Sequence, residues 1–264
     1  MRILVTNDDG IHAEGLAVLE EIARQLCDEV WVCAPETERS GASRSLTLAE
    51  PLRVRQIDQR RFAVLGTPTD CVMLAIQDLM GDRRPDLVLS GVNRGMNAAE
   101  DVTMSGTVAG AIEAMALGVP AIALSQRMTY GPADHVAPFE PARRFGAGLV
   151  AKLVEIGWRN EVILNINFPA RPVKEIQAVE VTRQGFRDVR TRYAERRTDL
   201  RGRDYYWLGY RTEVQAPAEG TDLRAADEGR ISVTPLHIDL THGAALSALA
   251  PVLNGPPPRF RAVA

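Results

Sequence analysis

The chain opens with Ile3-Leu4-Val5, three consecutive apolar residues, and runs straight into Thr6-Asn7-Asp8-Asp9-Gly10. Strand side chains alternate between faces, so an unbroken apolar run suits a strand covered on both sides, as in a parallel sheet flanked by helices. Inside a strand, Asp8 and Asp9 would face opposite ways. They can address one point only if the chain turns after Thr6, and Asp-Gly suits such a turn. Adjacent carboxylates repel unless a cation or a proton lies between them. A cation is the economical reading, set against an acidic turn that merely caps the next helix.

The apolar pattern then alternates in kind. Leu16, Leu19, Ile22, Ala23 and Leu26 form a one-sided helical stripe, and Val30 to Ala34 is a second strand-like run ended by Pro35. Together they make a βαβ beginning. Residues 36–45 are polar, small and aperiodic, a loop at the carboxyl end of the second strand. Leu52–Val54 and Phe62–Val64 suggest a small hairpin. Thr67-Pro68-Thr69-Asp70 predicts a helix start with a capping box, the helix running to about Met80. Pro85–Ser90 reads as a buried strand leading into the glycine- and asparagine-rich loop Gly91–Asn97. A helix over Val108–Leu117, a strand at Ala121–Leu124, a helix over Glu140–Ile156 and a strand at Val162–Ile166 follow. This alternation predicts an α/β fold with a parallel, doubly wound sheet.

From about Ile176 the character changes. Residues 177–182, 205–210 and 230–234 look extended with no helix between them, and roughly 176–230 reads as a projecting arm. Its segment Arg183 to Arg203 holds eight arginines, best understood as a solvated surface; aromatics are not interleaved through it as a nucleic-acid contact would require. Aromatics such as Tyr206 and Trp207, with open strand edges, call for a subunit partner. A last helix is expected over Gly243–Leu253, then a fraying tail at Gly255–Pro258. No linker divides the chain, so 1–264 is one domain with its arm.

Composition excludes several classes. With 264 residues and a net charge of −3, there is no global attraction for a polyanion, and no nucleic-acid polymer is expected as partner. The three cysteines, Cys27, Cys33 and Cys71, cannot all pair and form no Cys-x-x-Cys, which suits reduced thiols in a cytosolic protein. The first residues reach Asn7 and Asp8 too soon for a secretory core. The most apolar stretch, Val108–Leu124, is interrupted by Glu113, Gly118 and Pro120, so no membrane span is expected. A cytoplasmic location follows from these expectations.

Three polar loops follow three of these strands: Asp8/Asp9, Ser40 with Ser43, and Asn93 with Asn97. The carboxyl ends of strands in an open parallel sheet form the ligand crevice, so the loops should converge. All the donors are oxygen, which suits one Mg²⁺ or Mn²⁺ and offers nothing soft. Ser105-Gly106-Thr107 opens a helix whose free N–H groups suit a phosphate, with Gly106 allowing close approach. Asn7 and Asn97 are expected on the phosphate and substrate side. His12, just past the acidic turn, is either a substrate contact or a surface cap. A P-loop, a Gly-x-Gly-x-x-Gly fingerprint and a zinc pattern are all absent. Metal-assisted hydrolysis of a phosphate ester is the reaction this set supports. A non-catalytic nucleotide sensor is the alternative; an aspartyl-phosphate route is disfavoured because Asp8-Asp9 lacks the Asp-x-Asp spacing.

Thr6-Asn7-Asp8-Asp9-Gly10-Ile11-His12-Ala13, Gly66-Thr67-Pro68-Thr69-Asp70-Cys71-Val72, Ser90-Gly91-Val92-Asn93-Arg94-Gly95 and Ser105-Gly106-Thr107-Val108 resemble the SurE family of metal-dependent nucleoside monophosphate phosphatases. The likeness continues through Arg201–Gly209 and Ser232–Leu236, in order, over nearly the whole chain. The resemblance implies a three-layer α/β/α Rossmann-like core and a C-terminal extended arm used to build homodimers or homotetramers. It implies hydrolysis of nucleoside 5′-monophosphates, often of 3′-monophosphates as well; a phosphatase with a broader range, such as polyphosphate, is an alternative the sequence leaves open. It places one divalent cation per subunit, Mg²⁺ or Mn²⁺, on Asp8, Asp9, Ser40 and Asn93. Glu14 stands where the family has proline and Met104 where an aromatic is common, so base preference stays open.

Overall fold

In the computed structural model, which describes residues 1–128, 139–187, 192–210 and 216–255, Arg2–Thr6 forms strand β1 in the interior of a mostly parallel sheet. The chain continues through α1 (Glu14–Arg24), β2 (Glu29–Pro35), β3 (Val54–Asp58), β4 (Arg61–Val64), α2 (Pro68–Leu74), β5 (Leu87–Arg94), α3 (Gly106–Ala116) and β6 (Ala121–Gln126). It then forms α4 (Glu140–Ile156), β7 (Ile163–Phe168), β8 (Val179–Val181), β9 (Arg192–Thr198), β10 (Asp204–Tyr210), α5 (Asp222–Asp227), β11 (Ile231–Leu236) and α6 (Gly243–Leu253). Among the described residues the sheet has nine strands in the order β3-β4-β2-β1-β5-β6-β7-β11-β8. The pairs β3–β4 and β7–β11 are antiparallel. β1 lies between β2 and β5, both parallel to it, so the chain leaves on one side of β1 and returns on the other. That is a topological switch point, where such sheets open a crevice.

The opening triplet behaves as two-sided burial requires. Ile3 and Val5 join the core beneath α1 and α4, while Leu4 joins the opposite core beneath α2 and α3. All three are fully buried, each worth about 1.5–3 kcal/mol relative to exposure. The capping box forms as the sequence dictates: the Thr67 side chain accepts from the Asp70 amide and Asp70 accepts from the Thr67 amide. The helix then widens into a π-type turn over Ala75–Leu79 and stops at Met80.

On the α3 side the sheet changes character along its length. Leu4, Val88 and Ile163 are succeeded two residues later by Thr6, Ser90 and Asn165, polar and fully buried. The amino-terminal half of the strands is therefore oil, and the carboxyl-terminal half is prepared for polar neighbours.

The region beyond residue 176 differs from the sequence expectation. A helix does occur there, α5, six residues long and capped by Thr221. β8 and β11 belong to the main sheet, where β11 pairs antiparallel to β7 and parallel to β8. Only β9 and β10 stand apart, as a two-stranded antiparallel ribbon. Residues 188–191 and 211–215 of the expected arm, and residues 256–258 of the expected tail, lie outside the described residues. Among the described residues no helix is long and apolar enough to cross a membrane.

Candidate active site at the carboxyl end of the sheet

The first turn after β1 is built by Asn7. Its side-chain amide donates to the Gly10 carbonyl (2.9 Å) and its carbonyl oxygen accepts from the Gly10 amide (3.3 Å). Asn7, which the sequence places on the substrate side, thus shapes the turn that carries Asp8 and Asp9. The Asp8 carbonyl accepts from the Arg39 amide (2.7 Å), which ties the turn to the loop after β2.

Asp8 is 4% exposed and accepts the Thr107 hydroxyl at 2.5 Å. Burial pushes its carboxyl up to about 6 from the ordinary 3.8; the Thr107 bond opposes the rise and the Asp9 charge adds to it. Asp9, partly buried, accepts from the Arg94 amide at 3.1 Å. Its carboxyl is also raised, first by burial and then by the Glu38 charge, with the Arg94 amide and charge opposing. Two adjacent carboxylates are therefore held partly desolvated beside a third, an arrangement that a divalent cation relieves.

The remaining expected ligands divide cleanly. The Ser40 hydroxyl donates to Glu38 (2.8 Å), and both line the same cleft as Asp9. Ser43 instead donates to the Thr103 carbonyl (2.7 Å) and pins the loop against the entry to α3. The Asn93 amide is committed to the Gly95 carbonyl (2.8 Å), so its side-chain carbonyl is the atom it can offer a cation. Asn97 is buried; its amide donates to Ser125 (3.0 Å), and its backbone bonds to Asn165 and Asn167. Among the described residues no three His, Cys, Asp or Glu side chains cluster as a metal site. Two carboxylates supplemented by neutral oxygens, as Asp8, Asp9, Ser40 and Asn93 provide, remain suited to a hard cation.

The phosphate-binding candidate abuts the carboxylates. Ser105 caps α3, its hydroxyl accepting from the Val108 amide (3.0 Å). Gly106 packs directly on Asp8: a methyl there would lie 2.7 Å from Asp8 Cβ and 2.8 Å from Oδ2. A cleft of about 450 Å³ is lined by Asp9, Ala13, Glu14, Gly15, Glu38, Ser40, Arg94 and Phe139; of the expected cation ligands Asp9 and Ser40 line it, while Asp8, Asn93 and Ser105–Thr107 do not. Gly15 admits α1 to this wall, because a side chain there would meet the Val92 carbonyl at 1.9 Å. The sequence reading missed Glu38 and Arg94 as site residues, although each stands next to or near an expected ligand. His12 is exposed and is not among the cleft-lining residues.

Residues 3–191 match the family described as Survival protein SurE. Over 259 residues the chain is 67% identical to the 5′-nucleotidase SurE of Phenylobacterium zucineum (strain HLK1), covering 98% of this chain and all of that one. It is 65% identical over 259 residues to the 5′-nucleotidase SurE of Caulobacter vibrioides (strain NA1000 / CB15N), covering 98% of each. Among solved structures, the crystal structure of the SurE protein from Aquifex aeolicus matches with a TM-score of 0.81 at 37% identity, covering 96% of this chain and 99% of that one.

Proposed function

The chain belongs to the SurE family, and from that premise we propose that it is a 5′-nucleotidase, hydrolysing nucleoside 5′-monophosphates to nucleoside and phosphate with the help of a divalent cation. The observation that carries this reading is the 2.5 Å bond from Thr107 to Asp8. It joins the candidate phosphate cradle to the candidate metal site, so that one phosphoryl group can touch both.

Asp8, Asp9, Ser40 and Asn93 would hold the cation, with Mg²⁺ or Mn²⁺ the ions suited to their oxygens. When bound, such an ion polarises phosphoryl oxygens and acidifies water. The chain's own residues supply the rest. The N-terminus of α3 presents backbone amides and the positive end of the helix dipole to the phosphate. Thr107 fixes the Asp8 carboxylate, and the Arg94 amide fixes that of Asp9, before substrate arrives. Preorganisation of this kind avoids reorganising dipoles during reaction.

Release of phosphate from AMP or GMP with Mn²⁺ or Mg²⁺, and its suppression by EDTA, tests the reading. Binding of AMP without any phosphate release in either metal is what a non-catalytic sensor would give, and would overturn the assignment.

A homodimer or homotetramer completes the proposal. The ribbon β9–β10 carries Tyr206 and Trp207, each 60% exposed, and no residue of α6 is buried. A ribbon and an apolar helix this bare are costly in water and suit a second copy of the chain. Light scattering at micromolar concentration is expected to give at least twice the 28.9 kDa chain mass; a monomer would refute it. With reduced cysteines, the cytoplasm is the compartment this reading favours.

A further inference from the structure

Between the end of β5 and the start of α3, each of residues 97–101 is bonded by a group from beyond residue 160. The Asn97 carbonyl accepts from Asn165 (2.7 Å) and Asn167 (3.0 Å). The Ala98 carbonyl accepts from the Arg187 guanidinium (3.2 Å). The Ala99 amide donates to Asp222 (2.9 Å). The Glu100 carboxylate accepts from the Arg187 amide (2.9 Å), and the Asp101 carboxylate pairs with the Arg187 guanidinium (2.5 Å). One further bond reaches the cradle: the Asp101 carbonyl accepts from the Ser105 amide at 3.0 Å.

Two features set this clasp apart from ordinary packing. Ala99 has φ of +54°, a left-handed conformation that a non-glycine residue keeps only where its surroundings enforce it. Asp222, with no exposed surface, accepts from three backbone amides in separate places: Ala99, Gly185 (2.8 Å) and Leu223 (2.8 Å). A buried carboxylate is expensive unless fully bonded. This one ties the segment before the cradle to the chain before the ribbon and to the start of α5.

We infer that Arg187 and Asp222 are positioning residues for the phosphate cradle. They hold residues 98–101 in the conformation that sets Ser105, Gly106 and Thr107 at the right distance from Asp8. The inference rests on Ser105–Thr107 being the phosphate site. It assigns a role in that site to residues on the far side of β6 and β7 in sequence, which touch no substrate.

The test uses the full-length protein and inorganic phosphate as the probe. In Arg187→Gln, the KM for AMP and the inhibition constant for inorganic phosphate should both rise about tenfold, the size expected from losing charge-assisted hydrogen bonds. Turnover at saturation should stay near wild type and Mn²⁺ affinity should change far less than phosphate affinity, because the carboxylate turn keeps its Asn7, Arg39 and Arg94 bonds even where the Thr107 bond to Asp8 lengthens. Arg187→Lys should recover part of the phosphate affinity by restoring the Asp101 pair. Asp222→Asn, which turns an amide donor towards other donors, should give the larger effect if it folds; Arg187→Gln decides the matter if it does not. Wild-type inhibition by phosphate in Arg187→Gln would overturn the inference. So would a fall in Mn²⁺ affinity in step with phosphate, since that is general loosening. If the wild type itself is not inhibited by phosphate, the phosphate-site reading falls first and the inference with it.

Discussion

Asp8→Asn and Asp9→Asn are each expected to lower turnover by well over tenfold, at least ~1.4 kcal/mol of transition-state stabilisation, while the fold is kept. Each removes a charge from the cation site and preserves shape; Asn at position 8 can still accept the Thr107 hydroxyl through its carbonyl oxygen. Steady-state assays over a Mn²⁺ titration check this, and wild-type kcat at saturating metal in both variants would remove the carboxylates from catalysis. A stability result should accompany the loss. In metal-stripped protein the Asp8 carboxyl is raised to about 6 from 3.8. Between those values the folded state holds more protons than the unfolded one, so stability falls as pH rises through that window. Below about 4 the penalty is absent and above about 6 it is complete, at roughly 3 kcal/mol. Metal-free Asp8→Asn should therefore melt higher than metal-free wild type at pH 7, and the gap should close towards pH 4. Adding metal should raise the melting temperature of the wild type more than that of the variant.

Gly106→Ala should be nearly as damaging, although it adds a single methyl. That methyl would sit 2.7 Å from Asp8 Cβ, and neither the first turn of α3 nor the buried Asp8 has room to retreat. Either the helix start moves away from the phosphate or Asp8 turns away from the cation. A loss of at least tenfold in kcat/KM is expected, together with weaker Mn²⁺ binding, because the clash strikes the metal site as well as the cradle. Undiminished kcat/KM would show that Asp8 and α3 are not rigidly coupled.

That Asp8, Ser40 and Asn93 fall at one end of the sheet was legible because it depends on topology. β1, β2 and β5 are parallel neighbours, so the turns after β1 and β2 open at the same edge as the carboxyl end of β5, which carries Asn93 within the strand rather than in the expected loop. What each polar residue does there was less legible. Ser40 and Ser43 are equivalent in sequence, and only the fold shows Ser43 spent on the Thr103 carbonyl. Asn7 and Asn97 each give one amide bond within the fold, to Gly10 and Ser125. Thr107, expected to face phosphate, gives its hydroxyl to Asp8. Hydrogen-bond partners distant in sequence leave no periodic trace, and the same blindness explains β8 and β11, whose places depend on long-range pairing. α5 escaped notice because six residues are too few for a helical stripe, although Thr221-Asp222 is a capping signal. β3 was placed early because its residues, Val54-Arg55-Gln56-Ile57-Asp58, are all exposed and carry no buried apolar run, as an edge strand allows.

The division of the sheet into an apolar and a polar half has an evolutionary consequence. Exchanges among Val, Ile and Leu near the amino ends of the strands alter packing and thermal tolerance far from any reacting atom. Changes in the loops at the other end alter chemistry with little cost to folding. Heat adaptation and substrate range can therefore drift along separate sets of positions, so that a descendant of this chain can move to a warmer habitat or to a new phosphate ester without first giving up the other trait.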